Sequence, residues 1–185
     1  MNATLMKKQL YTGFLVACFL FVSCEVPTEN FDNPLDSETA EEEGFETPAL
    51  VFFPDEVSVN VGGSVTLEVF AMEVENLAGS HIQLDYDKNK LQLLSLNPGD
   101  LFAGASELIF LYEDDPATGT IDIFTSFLGD DTVSVSGTGS LASLVMTTTT
   151  TGQSTVTYST ECELVDPDDV AIEIKGFGEG VVNAQ

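Results

Sequence analysis

Residues 81–96 read HIQLDYDKNKLQLLSL, two runs of alternating apolar and polar side chains separated by a polar turn. In the first run every second residue up to Tyr86 is apolar, which is typical of a β-strand that buries one face. Asp87 begins the turn, where its carboxylate can accept hydrogen bonds from backbone amides. Leu91 opens the second run. We therefore expect two consecutive strands that direct Tyr86 and Leu91 into one core.

The same alternating pattern extends from Ala49 to the end of the chain. Runs rich in Val, Ile, Thr, Phe and Tyr alternate at period two, and Gly, Pro, Asn and Asp separate them. Outside the first 23 residues no window has a sustained helical period. The predicted strands are 57–61, 64–69, 81–86, 91–96, 108–112, 120–127, 141–148, 154–160, 170–174 and 181–182. Eight to ten strands without helices predict an all-β fold, an antiparallel β-sandwich over residues 49–185.

The first 23 residues have the composition of an export signal. Lys7 and Lys8 precede an apolar run at 10–22, and Ser23 stands immediately before Cys24. The run is shorter than the roughly 20 residues that a membrane-spanning helix needs. A small residue followed by Cys resembles the lipobox of bacterial lipoproteins, which implies that Cys24 becomes the lipidated first residue of the mature chain. The alternatives are an ordinary signal peptide, with Cys24 incidental, or an N-terminal membrane anchor.

Residues 24–48 have the composition of a disordered tether. They contain nine acids, three prolines, no base and few apolar side chains. Such a segment cannot bury enough surface to offset the entropy lost on ordering. As a random coil it would reach on the order of 27 Å. Together with a lipid on Cys24, this tether predicts an exported, membrane-anchored lipoprotein at the outer membrane or cell surface.

Acidic residues dominate the charge of the chain, whose formal net charge is −26 at pH 7. All 31 acids follow Cys24, where only Lys88, Lys90 and Lys175 oppose them and the sequence has no Arg. A chain with this charge repels phosphate groups, which excludes nucleic acid as a partner, and it also repels anionic lipid surfaces. The acids are spread along the whole chain. This distribution favours solubility as their explanation over a divalent cation or a basic partner.

Several segments occur in the order in which one known domain family has them. Residues 62–69, GGSVTLEV, resemble the second strand of that family, and residues 82–96 resemble its Tyr-Asp hairpin. Residues 97–102, NPGDLF, resemble the block that follows the hairpin. Residues 139–144, GSLASL, and 180–182, GVV, resemble a late strand and the closing strand. The resemblance to the cohesin family extends over most of the predicted sandwich.

The resemblance implies a jelly-roll sandwich of about nine strands and a non-catalytic docking role. Cohesin domains bind dockerin modules, small calcium-loaded helical domains of polysaccharide-degrading enzymes, through one flat sheet face. In the best-known class, polar side chains on the strand before the Tyr-Asp pair take part, and the matching positions here are Gly79 and His81. That class usually has Asn and Asp there, so its dockerins are expected to be rejected. Gln83 and Asp85 share the strand parity of these two residues and should also face outward.

Ile109, Leu111 and Phe124 are further candidates for the partner-binding face. They lie in runs that are apolar at both strand parities, so apolar side chains can project from both sides of the sheet. The alternative is that loops cover both faces. The predicted partner-binding residues are therefore Gly79, His81, Gln83, Asp85, Ile109, Leu111 and Phe124. The predicted partner is a dockerin-like module.

Residues suited to catalysis or to a cofactor are few. One histidine, His81, and one cysteine after Cys24, Cys162, do not support a Ser-His-Asp or Cys-His set. We read His81 as an exposed polar strand residue, with a pH-sensitive contact as the alternative. The acid-rich loops at 113–115 and 166–169 have the oxygen ligands that calcium prefers, but they lack the EF-hand pattern. We therefore predict solvated turns, no cofactor and no metal site.

The sequence is also compatible with two other functions. A carbohydrate-binding module of a related sandwich fold would bind polysaccharide on a flat strip of several planar aromatics. The chain after Cys24 has no Trp and only Tyr86, Tyr112 and Tyr158. A structural or adhesion protein without a dockerin partner is the second alternative, because fold alone decides little about function. The leading hypothesis is a lipid-anchored docking module linked to polysaccharide degradation.

Overall fold

The structure is a computed structural model that describes residues 44, 46–103, 107–127 and 133–185. All of these residues belong to the compact unit Asn33–Gln185. The predicted export signal, the lipidation candidate Cys24 and nearly all of the predicted tether lie outside the described residues. Every regular element within the described residues is a β-strand, so this part of the chain contains no helix that could cross a membrane.

Thirteen strands form the described part of the molecule. They are β1 (Ala49–Phe53), β2 (Glu56–Val59), β3 (Ser64–Leu77), β4 (Gly79–Tyr86), β5 (Leu91–Pro98), β6 (Leu108–Asp115), β7 (Thr120–Phe127), β8 (Val135–Thr148), β9 (Gly152–Tyr158), β10 (Glu163–Val165), β11 (Ala171–Ile172), β12 (Gly176–Phe177) and β13 (Glu179–Ala184).

The strands form two sheets. The five-stranded sheet has the order β12-β1-β3-β8-β5, and the eight-stranded sheet has the path β11-β10-β4-β9-β13-β2. In the larger sheet β7 also pairs with β4, and β6 pairs with β7. One edge of β4 pairs with β7 along almost its whole length. The opposite edge of β4 pairs first with β10 and then with β9.

The two sheets pack face to face, and apolar side chains from both fill the space between them. The largest fully buried side chains are Phe102, Leu50, Leu67, Met72, Leu77, Ile82, Leu84, Leu91, Ile121, Ile123, Leu141 and Leu144. Complete burial of one such Leu or Ile stabilises the fold by about 1.5–3 kcal/mol. The predicted all-β sandwich is confirmed.

Two features of the sandwich differ from the expected nine antiparallel strands. β1 pairs with β12 in parallel, and β13 pairs with β2 in parallel, so both sheets are mixed. Parallel neighbours must come from segments that are far apart in the chain, and no local pattern predicts them. The strand count is higher largely because β10, β11 and β12 are separate elements of two or three residues.

The strands on either side of the Tyr-Asp turn exist, but the predicted hairpin is wrong. β4 lies in the eight-stranded sheet and β5 in the five-stranded sheet, so the two strands do not pair. The turn forms as expected, since Oδ1 of Asp87 accepts a 3.0 Å hydrogen bond from the amide of Asn89. Tyr86 and Leu91 are both buried, as predicted. Alternation predicts which side chains point inward, but not which strand lies alongside.

β3 is longer than the sequence pattern predicts. It continues past Val69 to Leu77 through irregularities in its pairing with β8. In this region Glu73 and Asn76 have positive φ values of 50° and 58°. Bulges of this kind insert extra residues and break the two-residue alternation. The pattern therefore predicts the end of the strand too early.

Candidate interaction face

The outer surface of β4, β7 and β6 forms one face, which we call the candidate interaction face. Backbone pairing aligns its residues in four rows across β4, β7 and β6: Gly79–Ser126–Ile109, His81–Phe124–Leu111, Gln83–Asp122–Glu113 and Asp85–Thr120–Asp115. Residues of the opposite parity, such as Ile82, Leu84 and Ile123, are buried in the core. All seven predicted partner-binding residues therefore lie on this face, and their binding role stays a prediction.

One end of the candidate interaction face is apolar and open to solvent. The exposed fractions of Ile109, Leu111 and Phe124 are 36%, 62% and 44%. Loops therefore do not cover these three side chains, and that alternative is wrong for this face. Contiguous exposed apolar surface of this kind marks interaction sites more often than ordinary surface.

An open depression of about 300 Å³ lies at the apolar end, beside Gly79. Ile109, Phe124 and Val165 are among the residues that line it. A Cβ atom at position 79 would stand 3.2 Å from Cγ2 of Val165, so a larger residue there would fill part of the depression. Glycine at this position thus keeps the depression open.

Hydrogen bonds and a ring stack order the polar centre of the face. Nε2 of His81 lies 2.8 Å from Oδ1 of Asp122, and Nε2 of Gln83 donates to the same oxygen at 2.9 Å. Oγ of Ser159 donates to Oε1 of Gln83 at 2.7 Å. The ring of His81 also stacks on Phe124, with the ring centroids 4.5 Å apart. His81 is therefore a paired, half-buried residue rather than the exposed one expected from the sequence.

The other end of the face is acidic. Glu113 lies directly opposite Asp122 in the β6–β7 pair. Asp85 and Asp115 occupy the two outer positions of the next row. Like charges on neighbouring strands destabilise a sheet. A basic group from a partner would relieve this repulsion.

The lysines of the described residues leave this acidic end largely uncompensated. Within that part of the chain the lysine ion pair shorter than 4.0 Å is Lys90–Asp87, which lies outside the four rows of the face. Hydrogen bonds from the Thr118 side chain and the Ala117 amide, with a weaker effect of Lys88, hold the pKa of Asp115 below its usual range. Asp115 therefore stays ionised at neutral pH.

The expected acid-rich loop at 113–115 is wrong, because these residues form the end of β6. The other candidates from the sequence lie in hydrogen-bonded or half-buried positions. Oδ1 of Asp166 accepts 2.9 Å hydrogen bonds from the amides of Asp168 and Val170, so this acid-rich loop is a hydrogen-bonded turn. Within the described ranges no group of three or more His, Cys, Asp or Glu is placed to hold a metal ion. Cys162 is half-buried, and burial raises the pKa of its thiol, which disfavours the reactive thiolate.

The sequence reasoning missed several residues on or beside the face. Asp122 and Glu113 share the strand parity of the predicted apolar residues, so the same alternation would have found them. Glu163 and Val165 reach the face through β10, which pairs with the first three residues of β4. No local pattern predicts that pairing, because β10 is only three residues long.

Comparisons with known proteins agree with this architecture. A non-cellulosomal cohesin from the archaeon Archaeoglobus fulgidus is 16% identical, with a TM-score of 0.61. The match covers 74% of this chain and 90% of the archaeal chain. A type II cohesin domain from the cellulosome of Acetivibrio cellulolyticus is 17% identical, with a TM-score of 0.64. The match covers 73% of this chain and 93% of the cohesin chain. A type I cohesin–dockerin complex from Clostridium thermocellum contains a chain that is 19% identical, with a TM-score of 0.60. The match covers 74% of this chain and 98% of that one.

No curated protein matches the sequence significantly. A family model described as the cohesin domain matches residues 50–182, which is nearly the whole sandwich. That match, together with the shared fold, establishes that the chain belongs to the cohesin domain family.

Proposed function

We propose that this cohesin domain is a non-catalytic docking module that binds a dockerin-type module through the candidate interaction face. The observation that carries the proposal is the exposed apolar end of Ile109, Leu111 and Phe124 beside the ordered His81–Asp122 pair. Exposed apolar surface next to fixed polar groups is typical of protein interfaces. Solved relatives from Acetivibrio cellulolyticus and Clostridium thermocellum were determined as complexes with dockerins, which supports this choice of partner.

The direct test is the binding of the purified full chain to calcium-loaded dockerin modules from secreted enzymes of the host. We expect at least one module to bind in calcium and to dissociate when a chelator unfolds it. Dockerins of the best-known cohesin class are expected not to bind, because Gly79 and His81 stand where that class usually has Asn and Asp. Binding by polysaccharide-degrading enzymes would support the link to polysaccharide degradation. Failure of every host module would favour the adhesion alternative.

A matched pair of variants tests the face itself. Leu111→Asp introduces a charge at the apolar end, and we expect at least tenfold weaker binding, since a desolvated charge without a partner opposes association. Leu94→Asp makes the same change on the other sheet, where Leu94 is 54% exposed, and should leave the affinity within about twofold. Equal losses in both variants would exclude this face as the docking site.

We further propose that a lipid on Cys24 anchors the module and that residues 25–48 hold it away from the membrane. The support is the apolar run at 10–22 that ends at Ser23-Cys24, and the acidic composition of the following segment. Metabolic labelling with a fatty acid should mark the parent protein but not Cys24→Ala, and only the parent should stay with the membrane fraction. Unlabelled parent protein would favour an ordinary signal peptide or an N-terminal membrane anchor.

A further inference from the structure

The outer surface of the five-stranded sheet carries a row of residues with the chemistry of a binding site. Backbone pairing places Phe53, Glu68, Ser143 and Asn97 side by side on β1, β3, β8 and β5. Their immediate strand neighbours are buried in the core: Phe52, Leu67, Leu144 and Leu96. The row, which we call the Phe53 strip, therefore faces outward. At about 4.8 Å between adjacent strands it spans about 14 Å.

A depression of about 500 Å³ adjoins the middle of the Phe53 strip, where Glu68 and Ser143 belong to its lining. Its lining includes Phe70 and Pro98 as apolar residues and Glu68, Asp100, Ser140 and Ser143 as polar ones. Phe53 is 39% exposed and packs edge-to-face on Phe70, with the ring centroids 6.2 Å apart. One end of the strip thus offers aromatic surface, and the middle offers hydrogen-bonding groups.

Hydrogen bonds hold the carboxylates in and beside the strip in place, and several polar atoms remain free to bond to a ligand. Oε2 of Glu68 accepts a 2.7 Å hydrogen bond from Oγ of Ser140, and Oδ1 of Asp100 accepts a 2.9 Å bond from the Ser140 amide. Each carboxylate therefore has its second oxygen available. The side chains of Ser143 and Asn97 make no hydrogen bond to other described residues, so they too can bind a ligand.

These groups select a particular ligand chemistry. Carboxylate oxygens accept hydrogen bonds from hydroxyl groups, the Asn97 amide both donates and accepts, and an exposed aromatic ring packs against apolar C–H surface. No lysine lines the depression, and its two carboxylates repel anions, so an acidic saccharide is not expected to bind. The length of the strip suits an extended ligand better than a single sugar ring.

The geometry points to a neutral oligosaccharide that binds along the Phe53 strip. Apolar C–H surface of the sugar packs on Phe53, and its hydroxyls bond to Glu68, Asp100 and Asn97. The strip lies on the sheet opposite the candidate interaction face, so a saccharide and a protein partner can bind at the same time. The saccharide site is independent of the proposed docking function and gives the module a second ligand.

Titration calorimetry of the full chain with cellohexaose, xylohexaose and mannohexaose tests this proposal, with polygalacturonate as the acidic comparison. At least one neutral hexasaccharide should bind and polygalacturonate should not. Phe53→Ala and Asn97→Ala should each weaken that binding at least fivefold. The matched variant Phe177→Ala, at a ring that is 45% exposed outside the strip, should leave it within about twofold.

Three outcomes would overturn the proposal: no binding of any neutral hexasaccharide, preferential binding of polygalacturonate, or equal affinity in the parent, Phe53→Ala and Asn97→Ala. Thermal unfolding of each variant shows whether weaker binding reflects loss of the site or loss of the fold. Asn97→Ala should not affect the fold, because the Asn97 side chain is exposed and does not pack in the core. Leu111→Asp should leave saccharide binding unchanged, because Leu111 lies on the other sheet. Failure of docking and failure of saccharide binding are therefore distinguishable.

Discussion

The hydroxyl of Tyr158 in β9 donates a 2.8 Å hydrogen bond to the carbonyl oxygen of Val51 in β1, a strand of the other sheet. The Tyr158 ring also stacks on Phe52, with the ring centroids 4.6 Å apart. One side chain thus joins the two layers of the sandwich by a polar and an apolar contact. Burial raises the pKa of Tyr158 well above its usual value, so the hydroxyl stays protonated and able to donate.

Tyr158→Phe should lower the free energy of unfolding by about 1–3 kcal/mol, because it removes only the hydroxyl and leaves the Val51 carbonyl without this donor. Urea unfolding measures the change. The control is Tyr112→Phe, at a tyrosine that is 48% exposed, which should change stability by less than about 0.5 kcal/mol. Equal effects of the two variants would show that the bond between the sheets contributes nothing measurable.

Tyr86 predicts a loss of stability at alkaline pH. Burial, the hydrogen bond to Asp114 and the charges of Asp114 and Asp115 raise the pKa of Tyr86 to about 12. An unfolded tyrosine titrates near pH 10, so the folded state holds the proton more tightly. The resulting stabilisation is complete below about pH 10 and is lost as the pH rises to about 12.

Urea unfolding across about pH 9 to 12 tests this dependence. Tyr86→Phe should cost about 1 kcal/mol at neutral pH through the lost 2.9 Å hydrogen bond to Asp114, and it should show a shallower alkaline decline than the parent. Part of the decline should remain, because Tyr158 also has a raised pKa. Identical pH profiles for variant and parent would contradict the role of Tyr86.

Two buried threonines predict opposite effects of the same substitution. The hydroxyl oxygens of Thr125 and its cross-strand neighbour Ser80 have no hydrogen-bond partner among the described residues. The hydroxyl of Thr148 donates to the Asn60 carbonyl at 3.1 Å and accepts from the Gly62 amide at 3.1 Å. Thr125→Val should therefore stabilise the fold by about 1 kcal/mol, and Thr148→Val should destabilise it by a similar amount. Thermal unfolding that ranks the two variants the other way would refute this assignment.

The acidic end of the candidate interaction face predicts charge-dependent docking. The double variant Asp85→Asn with Glu113→Gln removes two negative charges from this end. It should slow association with a basic partner and make the association rate less dependent on salt. The affinity at low salt should fall about fivefold. Glu75→Gln with Glu173→Gln removes the same charge from exposed positions elsewhere and should have little effect on docking. Stopped-flow measurements at several salt concentrations compare the two pairs. Equal salt slopes would assign the effect to net charge rather than to this face.

Strand parity accounts for the outward orientation that the sequence predicted for the residues of the candidate interaction face. His81, Gln83 and Asp85 alternate with buried residues of β4, and the structure places them on its outer surface. The same alternation in β6 and β7 would have added Glu113 and Asp122. Parity is readable from sequence because successive side chains of an extended chain point to opposite sides.

Strand pairing accounts for most of what the sequence did not predict. The turn at Asp87 suggested a hairpin, yet β4 and β5 lie in different sheets. The irregular pairing around Glu73 and Asn76 hid the second half of β3. In both places the pattern of one segment carries no information about the distant segment that packs beside it.

The all-β class, the positions of most strands and turns, and the side chains that face the core follow from the amino-acid sequence alone, because period-two alternation is local to each strand. The tertiary structure sets which strands are neighbours. It brought Glu163 and Val165 of β10 beside β4, and it aligned Phe53 with Asn97 in one row across four strands. Pairing joins segments that are tens of residues apart, so the composition of both faces depends on contacts that no single segment encodes.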